Sequence, residues 1–381
     1  MRKPGRPVRT EPDRPAGRRR AIGRDERGVT PIIGSILILA MTVLGVVAVM
    51  FWGAPTIQEI QDRNAQLGVV GEFEEIRLSS LALTVPDASR TPTLVMQSGT
   101  VGIEEGTRFM ITANHDASNT GCDLHVTGWE AAGVSSVTVS GSGCRDAYNT
   151  ASCPGSGACF EILNVSGDNL VPQTVTGGPM AAGGPATFTV AGADFSSGDY
   201  VFRITNGLFA SLEVYAEAWL LGSDMHTWRL GSPQGERAVH QDGSAIFSRT
   251  DDDIFIERDP PIQEDAFGSG DYVLWLRTYS ATARNEVSGR NSVTMFLGLV
   301  GTYTRINNET VDSLRYDFEG ELAEAWCTAL VQRTAELTTD ASYTSPGGCD
   351  AAVPSVVYAT TSGASFPMEF LHAHIRTTLL I

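Results

Sequence analysis

From Gly28 to Gln58 the chain carries no charged residue. A run of that length and greasiness has no stable place in water, so it must lie in lipid, in a core or among its own kind. Pro31 suits a first helical turn, where its missing N–H is no loss, and Thr30 before it fits an N-cap. A helix from Pro31 to Ala54 spans about 36 Å at ~1.5 Å per residue, enough to cross a hydrocarbon core of ~30 Å. A secretory signal peptide has an apolar core of only ~7–15 residues, so the run is too long for one. The flanks differ sharply in charge. Residues 1–27 hold ten Arg/Lys and four Asp/Glu, a net of +6, which leaves 17 basic and 40 acidic groups, a net of −23, for the rest. The positive-inside rule keeps the basic leader 1–28 in the cytoplasm and sends the body outside.

The helical pattern predicts one gently kinked helix over 29–82. It continues past Pro55 as "TIQEIQDRNAQLGVV", with Ile57, Ile60, Asn64 and Leu67 at helical spacing. Ile32, Ile33, Ile36, Leu37, Leu39, Leu44 and Val47 supply bulk, while Gly34, Ser35, Ala40, Gly45 and Ala48 let another helix approach closely. A filament core and a bilayer both accept that surface, and so does a plain lipid-facing anchor.

The segment "RGVTPIIGSILILAMTVLG" resembles the class III signal and core helix of archaeal type IV pilins and pilin-like proteins, those of haloarchaea in particular. The resemblance implies cleavage by prepilin peptidase between Gly28 and Val29, just after Arg27, leaving Val29, Thr30 and Pro31 at the mature N-terminus. Ile33 stands at the fifth mature position, where bacterial pilins carry an acid and archaeal members commonly do not. It also implies further pilin subunits, or copies of the chain itself, as partners beside the membrane and the peptidase.

An acidic body repels nucleic acid, whose binding depends on Lys/Arg neutralising phosphates. The acidity suits either a basic partner or a surface solvated in high salt, where the Debye length shortens to about 3 Å at 1 M. Lys3 is the only lysine and the acids form no single block, which favours the salt-adapted surface. Cys122, Cys144, Cys153, Cys159, Cys327 and Cys349 all follow the apolar run, and an even set on the outer side indicates disulfides. Pairing by proximity joins Cys122 to Cys144, Cys153 to Cys159 and Cys327 to Cys349, one of fifteen possible connectivities. No C-x-x-C pair supports zinc.

Beyond residue 83 the pattern changes to period 2. "TLVMQSGTVGIEEGTRFMITAN" reads as strand, turn, short strand, turn, strand, with Gly99 and Gly106 as turn formers. Short alternating stretches recur to the C-terminus and predict a mainly antiparallel β-rich domain over 83–381, with a possible subdivision in the Gly/Pro-rich loop 174–186. "DSLRYDFEGELAEAWCTALVQRTAEL" reads as an amphipathic helix whose stripe is Phe318, Leu322, Trp326 and Leu330. The predicted class is therefore α+β: a long N-terminal transmembrane helix, a β-rich ectodomain and one C-terminal amphipathic helix. The helix-then-strand ending resembles large haloarchaeal pilin-like membrane proteins, on Ser313, Tyr316, Ala325 and Trp326.

Chemistry is sparse. No metalloprotease, phosphate-loop, nucleophile-elbow or EF-hand motif occurs, no cofactor is expected, and no nucleophile–base set can be named for a surface hydrolase. His372 and His374 share one face of a predicted strand, as a metal pair or, on the simpler reading, as exposed histidines. Asp251, Asp252 and Asp253 could hold Ca²⁺ or form a solvated turn. The five tryptophans beyond the membrane run read as core. Asn164-Val-Ser and Asn308-Glu-Thr are glycosylation sequons. The reading that follows is a non-enzymatic pilin-like surface protein, a minor pilin or anchored component in adhesion or surface-structure assembly. The alternative is a permanently anchored extracellular binding or envelope protein that never polymerises.

Overall fold

The computed structural model describes residues 30–115, 122–142, 144, 146–153, 157–181, 184–206, 213–233, 235–251, 253–260, 262–264, 272–289, 292–333, 341–360 and 363–380. The leader, with Arg27, Gly28 and Val29 of the expected cleavage site, lies outside them, as do Asp252 and the side chain of Asn308. The class is α+β: one long apolar N-terminal helix, a large mainly antiparallel β body and one short helix near the C-terminus.

Helix α1 runs unbroken through Pro55 from Thr30 to Leu81. Close contacts divide the chain between Gln58 and Glu59 into two units. In the first unit, every residue from Ile32 to Trp52 is exposed. In the second unit, Ala65, Val69, Val70, Phe73 and Ile76 are buried together with Leu94, Val101, Trp228, Ile246, Met295 and Ile375. Ile60, Asn64 and Leu67, which also repeat at helical spacing in the second unit, are exposed. Polar pins fix the rotation: Arg77 Nε donates to Ser244 O at 2.8 Å, Gln66 Nε2 to Arg249 O at 3.3 Å and the Tyr279 hydroxyl to Ser80 Oγ at 3.1 Å. Apolar spacing alone allowed either face; only one of them brings those groups to their partners.

The body is built on a large curved sheet. Its principal strands are β1 (Thr100–His115), β2 (Ala158–Ser166), β3 (Tyr200–Thr205), β4 (Val214–Ser232), β5 (Gly235–Asp242), β6 (Ala245–Thr250), β7 (Asp253–Arg258), β8 (Tyr272–Ala281) and β9 (Ser292–Glu319). After helix α2 (Ala323–Gln332) come β10 (Ser355–Thr360) and β11 (Phe366–Leu380). The lateral order β2-β3-β4-β1-β9-β11-β8 is antiparallel throughout, except that β8 and β11 run parallel. From the second half of β4, the ladder β5-β6-β7 extends as successive hairpins. A four-stranded sheet of Asp123–Thr127, Ser136–Ser142, Ala186–Val190 and Val175–Gly177 closes a second core around Trp129, Phe160, Phe188 and Phe202. Val175–Gly177 and Ala186 of the 174–186 stretch belong to that sheet, while Met180, buried like Val175, bridges to Ala147.

Two local expectations give way to tertiary pairing. Gly106 makes no turn; β1 continues through it with a register shift opposite Ser223, and Ser223 O and Asp242 Oδ1 of neighbouring strands approach so closely that a Cβ there would fall 2.9 Å from each. The helix expected around Phe318 begins only at Ala323. Leu314, Tyr316 and Phe318 are all buried on β9, which β1 and β10 flank, so the stretch follows the strand's period of two. Gly320, at φ 120°, ends the strand, and the helical stripe shrinks to Leu322, Trp326 and Leu330. Gly243 lets Trp326 settle against the β5–β6 turn: it has φ 52°, and a Cβ there would meet the indole at 2.9 Å.

Candidate functional site: a neutral rod and a polar cavity

The first candidate is the rod itself. Ile32, Ile33, Ile36, Leu37, Leu39, Leu44 and Val47 are each between 44% and 70% exposed, and Phe51 and Trp52 reach 76% and 84%. Ser35, Thr42 and Thr56 return their hydroxyls to carbonyls one turn back, and Pro55 leaves the Phe51 carbonyl without its helical donor. Gly34 and Gly45 have nothing within 4 Å of where a Cβ would sit, which leaves shallow steps for another apolar surface. Pro31 opens the first turn. By length and composition this helix can cross a membrane.

Three disulfides, Cys122–Cys144, Cys153–Cys159 and Cys327–Cys349, join neighbours in the sequence within the body, with Cα atoms 4.2, 5.5 and 5.5 Å apart. They belong to an oxidising compartment, and with the apolar helix they indicate a membrane-anchored protein with an extracellular domain. Asn164 sits near the end of β2, half-buried, its amide donating to Asp199 O at 3.4 Å.

The second candidate is a cavity of about 380 Å³ in the body, lined by residues of β1, β2, β4, β8, β11 and the segments beside them. Arg108 donates to Phe195 O at 2.6 Å and to Gly198 O at 2.9 Å, while Asp199 accepts from the Gly222 amide at 2.9 Å. Burial pushes the Asp199 carboxyl up, against the pull of that amide and of Arg108 and Arg305. Asp224 takes Arg284 Nη2 at 2.8 Å and the Ala281 amide at 2.6 Å. His374 Nε2 lies 3.0 Å from Ser280 Oγ.

His372 and His374 therefore line or back the interior, which corrects the expectation of exposed strand histidines. His372 is 1% exposed. Its Nδ1 lies 3.2 Å from Arg305 Nη2 and its Nε2 2.7 Å from Thr278 Oγ1. Arginine can only donate, so Nδ1 accepts and the proton sits on Nε2, giving a neutral ring. Burial, with Arg305 and His374 nearby, holds His372 well below the ordinary range. No group of three potential ligands gathers for a metal among the described residues. Asp251, at φ 53°, closes the β6–β7 turn and accepts from the Glu236 amide at 3.2 Å.

Ser280–His374 is the nearest thing to a nucleophile–base pair. The other ring nitrogen of His374 faces Thr278 Oγ1 at 3.5 Å, and burial together with Arg376 and Arg305 lowers its basicity. Asp224 on the same wall favours the charged form of His374, but no carboxylate hydrogen-bonds to that ring among the described residues as one does in acyl-transfer triads. The cavity is a wall of internally paired charges, suited to holding water or a small polar solute.

Sequence reasoning passed over several buried ionic groups. His115 Nδ1 lies 2.9 Å from Glu309 and its Nε2 3.7 Å from Glu217, which Arg203 also holds at 3.0 Å. Burial pulls the His115 ring down, but the two carboxylates outweigh it and lift the ring to about 9. Asp242, fully buried beneath α2, accepts from the Thr107 amide and Trp326 Nε1, each at 3.0 Å; burial pushes it up to about 6. Nothing local in the sequence pairs His115 with Glu217 or Asp242 with Trp326. Four of the five tryptophans outside the rod, Trp129, Trp219, Trp228 and Trp326, are at most 2% exposed, in keeping with a core role. No family model matches this chain, and neither a curated protein nor a solved structure matches it.

Proposed function

We propose that the chain is a pilin-like cell-surface protein, held by α1 in a bilayer or among like helices, that displays its disulfide-bonded β body outside the cell. The observation that carries this reading is the continuity of α1. One helix presents an uncharged, exposed surface at Ile32–Trp52 and a buried docking face at Ala65–Ile76. A cleavable targeting peptide has no reason to be continuous with the core of the domain it delivers. The finer assignment, to archaeal type IV pilin-like proteins processed between Gly28 and Val29, rests on the sequence resemblance around Arg27–Gly45. Adhesion or surface-structure assembly is the corresponding role, as a minor component. A permanently anchored envelope protein is the second reading, favoured by the body's bulk: unit two spans Glu59–Ile381, and a filament lattice would have to accommodate it on every subunit.

Mass spectrometry of the mature N-terminus, on membrane and filament fractions separately, tests both. Val29 at the N-terminus in a filament fraction is the expected result for a pilin-like subunit. Met1 at the N-terminus of a membrane-inserted chain rejects processing and leaves the anchor reading. A soluble full-length monomer defeats the whole proposal.

A further inference from the structure

We propose that β7 is the docking edge for an extended basic peptide segment of another protein, which adds to the sheet as a further strand beside α2. This inference does not depend on whether α1 lies in lipid or in a filament.

β7 pairs with β6 along one side, and among the described residues no strand pairs with its other side. Strand edges are normally defended by a charge in mid-strand, a proline or a bulge, because their free N–H and C=O groups template pairing. Here the middle reads Ile254-Phe255-Ile256, without charge or proline, and Phe255 is 52% exposed. The ladder slips only beyond Ile256, where Ile246 pairs with Arg258, so a straight edge runs from Asp253 to Ile256. That is enough for a short augmenting strand, in which main-chain hydrogen bonds supply affinity and alternate side chains supply choice.

The choice is set by what stands beside the edge. A groove of about 490 Å³ separates β7 from α2, lined by Ile254, Phe255 and Ile256 on one side and by Glu324, Thr328 and Gln332 on the other. Asp253 closes one end. The lining holds two carboxylates and no basic group, in a molecule whose residues beyond the leader carry a net of −23 (17 basic against 40 acidic). A second copy offering its own acidic edge would meet like charge. Along β7, Asp253 and Phe255 face one side of the sheet and Ile254 and Ile256 the other, so each row of an incoming strand meets apolar side chains, and its basic groups reach Asp253 at the end of the groove and Glu324 across it.

The test is hydrogen exchange on the full chain in detergent micelles, read at the β7 amides, with three synthetic heptapeptides as probes. One alternates Val and Lys, one alternates Val and Glu, and one is the Val/Lys peptide with its central valine replaced by proline. The expected result is fast exchange at the β7 edge in the protein alone, slowed at least tenfold by the Val/Lys peptide and by neither of the others. In the Asp253→Lys/Glu324→Lys variant the preference inverts, with the Val/Glu peptide giving the protection. That variant changes surface groups only, and unchanged exchange in β1 and β4 verifies its fold. Four outcomes overturn the proposal: edge amides already protected without peptide, equal protection by the proline peptide, indifference to peptide charge, or protection that arises by self-association of the protein.

Discussion

The two halves of α1 obey different solvents. From Ile32 to Trp52 the helix is apolar all round and exposed all round. From Glu59 to Leu81 it is amphipathic, with Phe73 fully buried and Glu59, Arg63 and Glu75 exposed. The backbone is the same, so the difference lies in what each half packs against. A helix greasy on every side asks for an apolar medium, whereas a striped one asks for a single apolar wall. The body supplies that wall through Trp228, Ile246, Met295 and Ile375. The lesson is that one regular element can join two environments without a break, Pro55 notwithstanding, provided the pattern changes where the environment does.

The comparison breaks most severely at Phe73. Phe73→Ala should cost the body about 3–5 kcal/mol through lost burial and the cavity left behind, seen as a lower midpoint in denaturant titration of the detergent-solubilised chain. Its membrane partitioning should not change. The reciprocal substitution, Leu44→Arg, should cost about 2.5–3.5 kcal/mol of insertion in a membrane-integration assay and leave the body's denaturation midpoint where it was. If either variant moves both readouts, the halves are coupled and the division at Gln58/Glu59 is not an energetic one.

The cysteines sharpen the same contrast, since all six lie in the body. Cys327→Ser/Cys349→Ser should destabilise the body by about 2–4 kcal/mol, and a reductant should reproduce the effect in the native chain. Helicity and insertion of the rod should not respond.

Acid should act on the body alone. His226 and His240 are held down by burial, to about 4 and about 3, from an ordinary 6.5. The unfolded chain therefore takes up their protons first, and stability is lost as pH falls from 6.5 towards 4. Asp242 and Asp317, each pushed by burial up to about 6 from 3.8, work the other way, since the folded state takes their protons first over that range. His372, His374 and His125 are also lowered and add to the acid loss, while Asp199, Glu104 and Glu319 are also raised and oppose it. Asp242→Asn should steepen that acid limb and His226→Gln should flatten it. On the alkaline side, the His115 contribution is complete below 6.5 and fades as pH rises through about 9.

The smallest expected change is the most discriminating. Ile60→Ser, on the exposed face of the second half, should shift stability by no more than about 0.5 kcal/mol. A larger loss would mean that this face is covered in the folded chain as it exists in solution.

The uncharged run Gly28–Gln58 determined the long helix by itself, because thirty-odd neutral residues have few refuges from water. Period-two alternation likewise determined a β-rich body, and cysteine order suggested neighbour pairing. Which side of α1 faces the sheet, and where the last helix begins, only the tertiary structure decided. Ala65–Ile76 and Ile57–Leu67 both repeat at helical spacing, and only Ser244 O, Ser80 and the Trp228 surface choose between them. Phe318 fits a helical stripe with Leu322 and a strand alternation with Tyr316; pairing of β9 with β1 and β10 settled it as strand. Burial of His372 and the lifted ring of His115 arose in the same way, from partners more than sixty residues away in the chain. Local pattern reports a residue's preference for water or grease, while the neighbour that satisfies it is chosen by long-range packing.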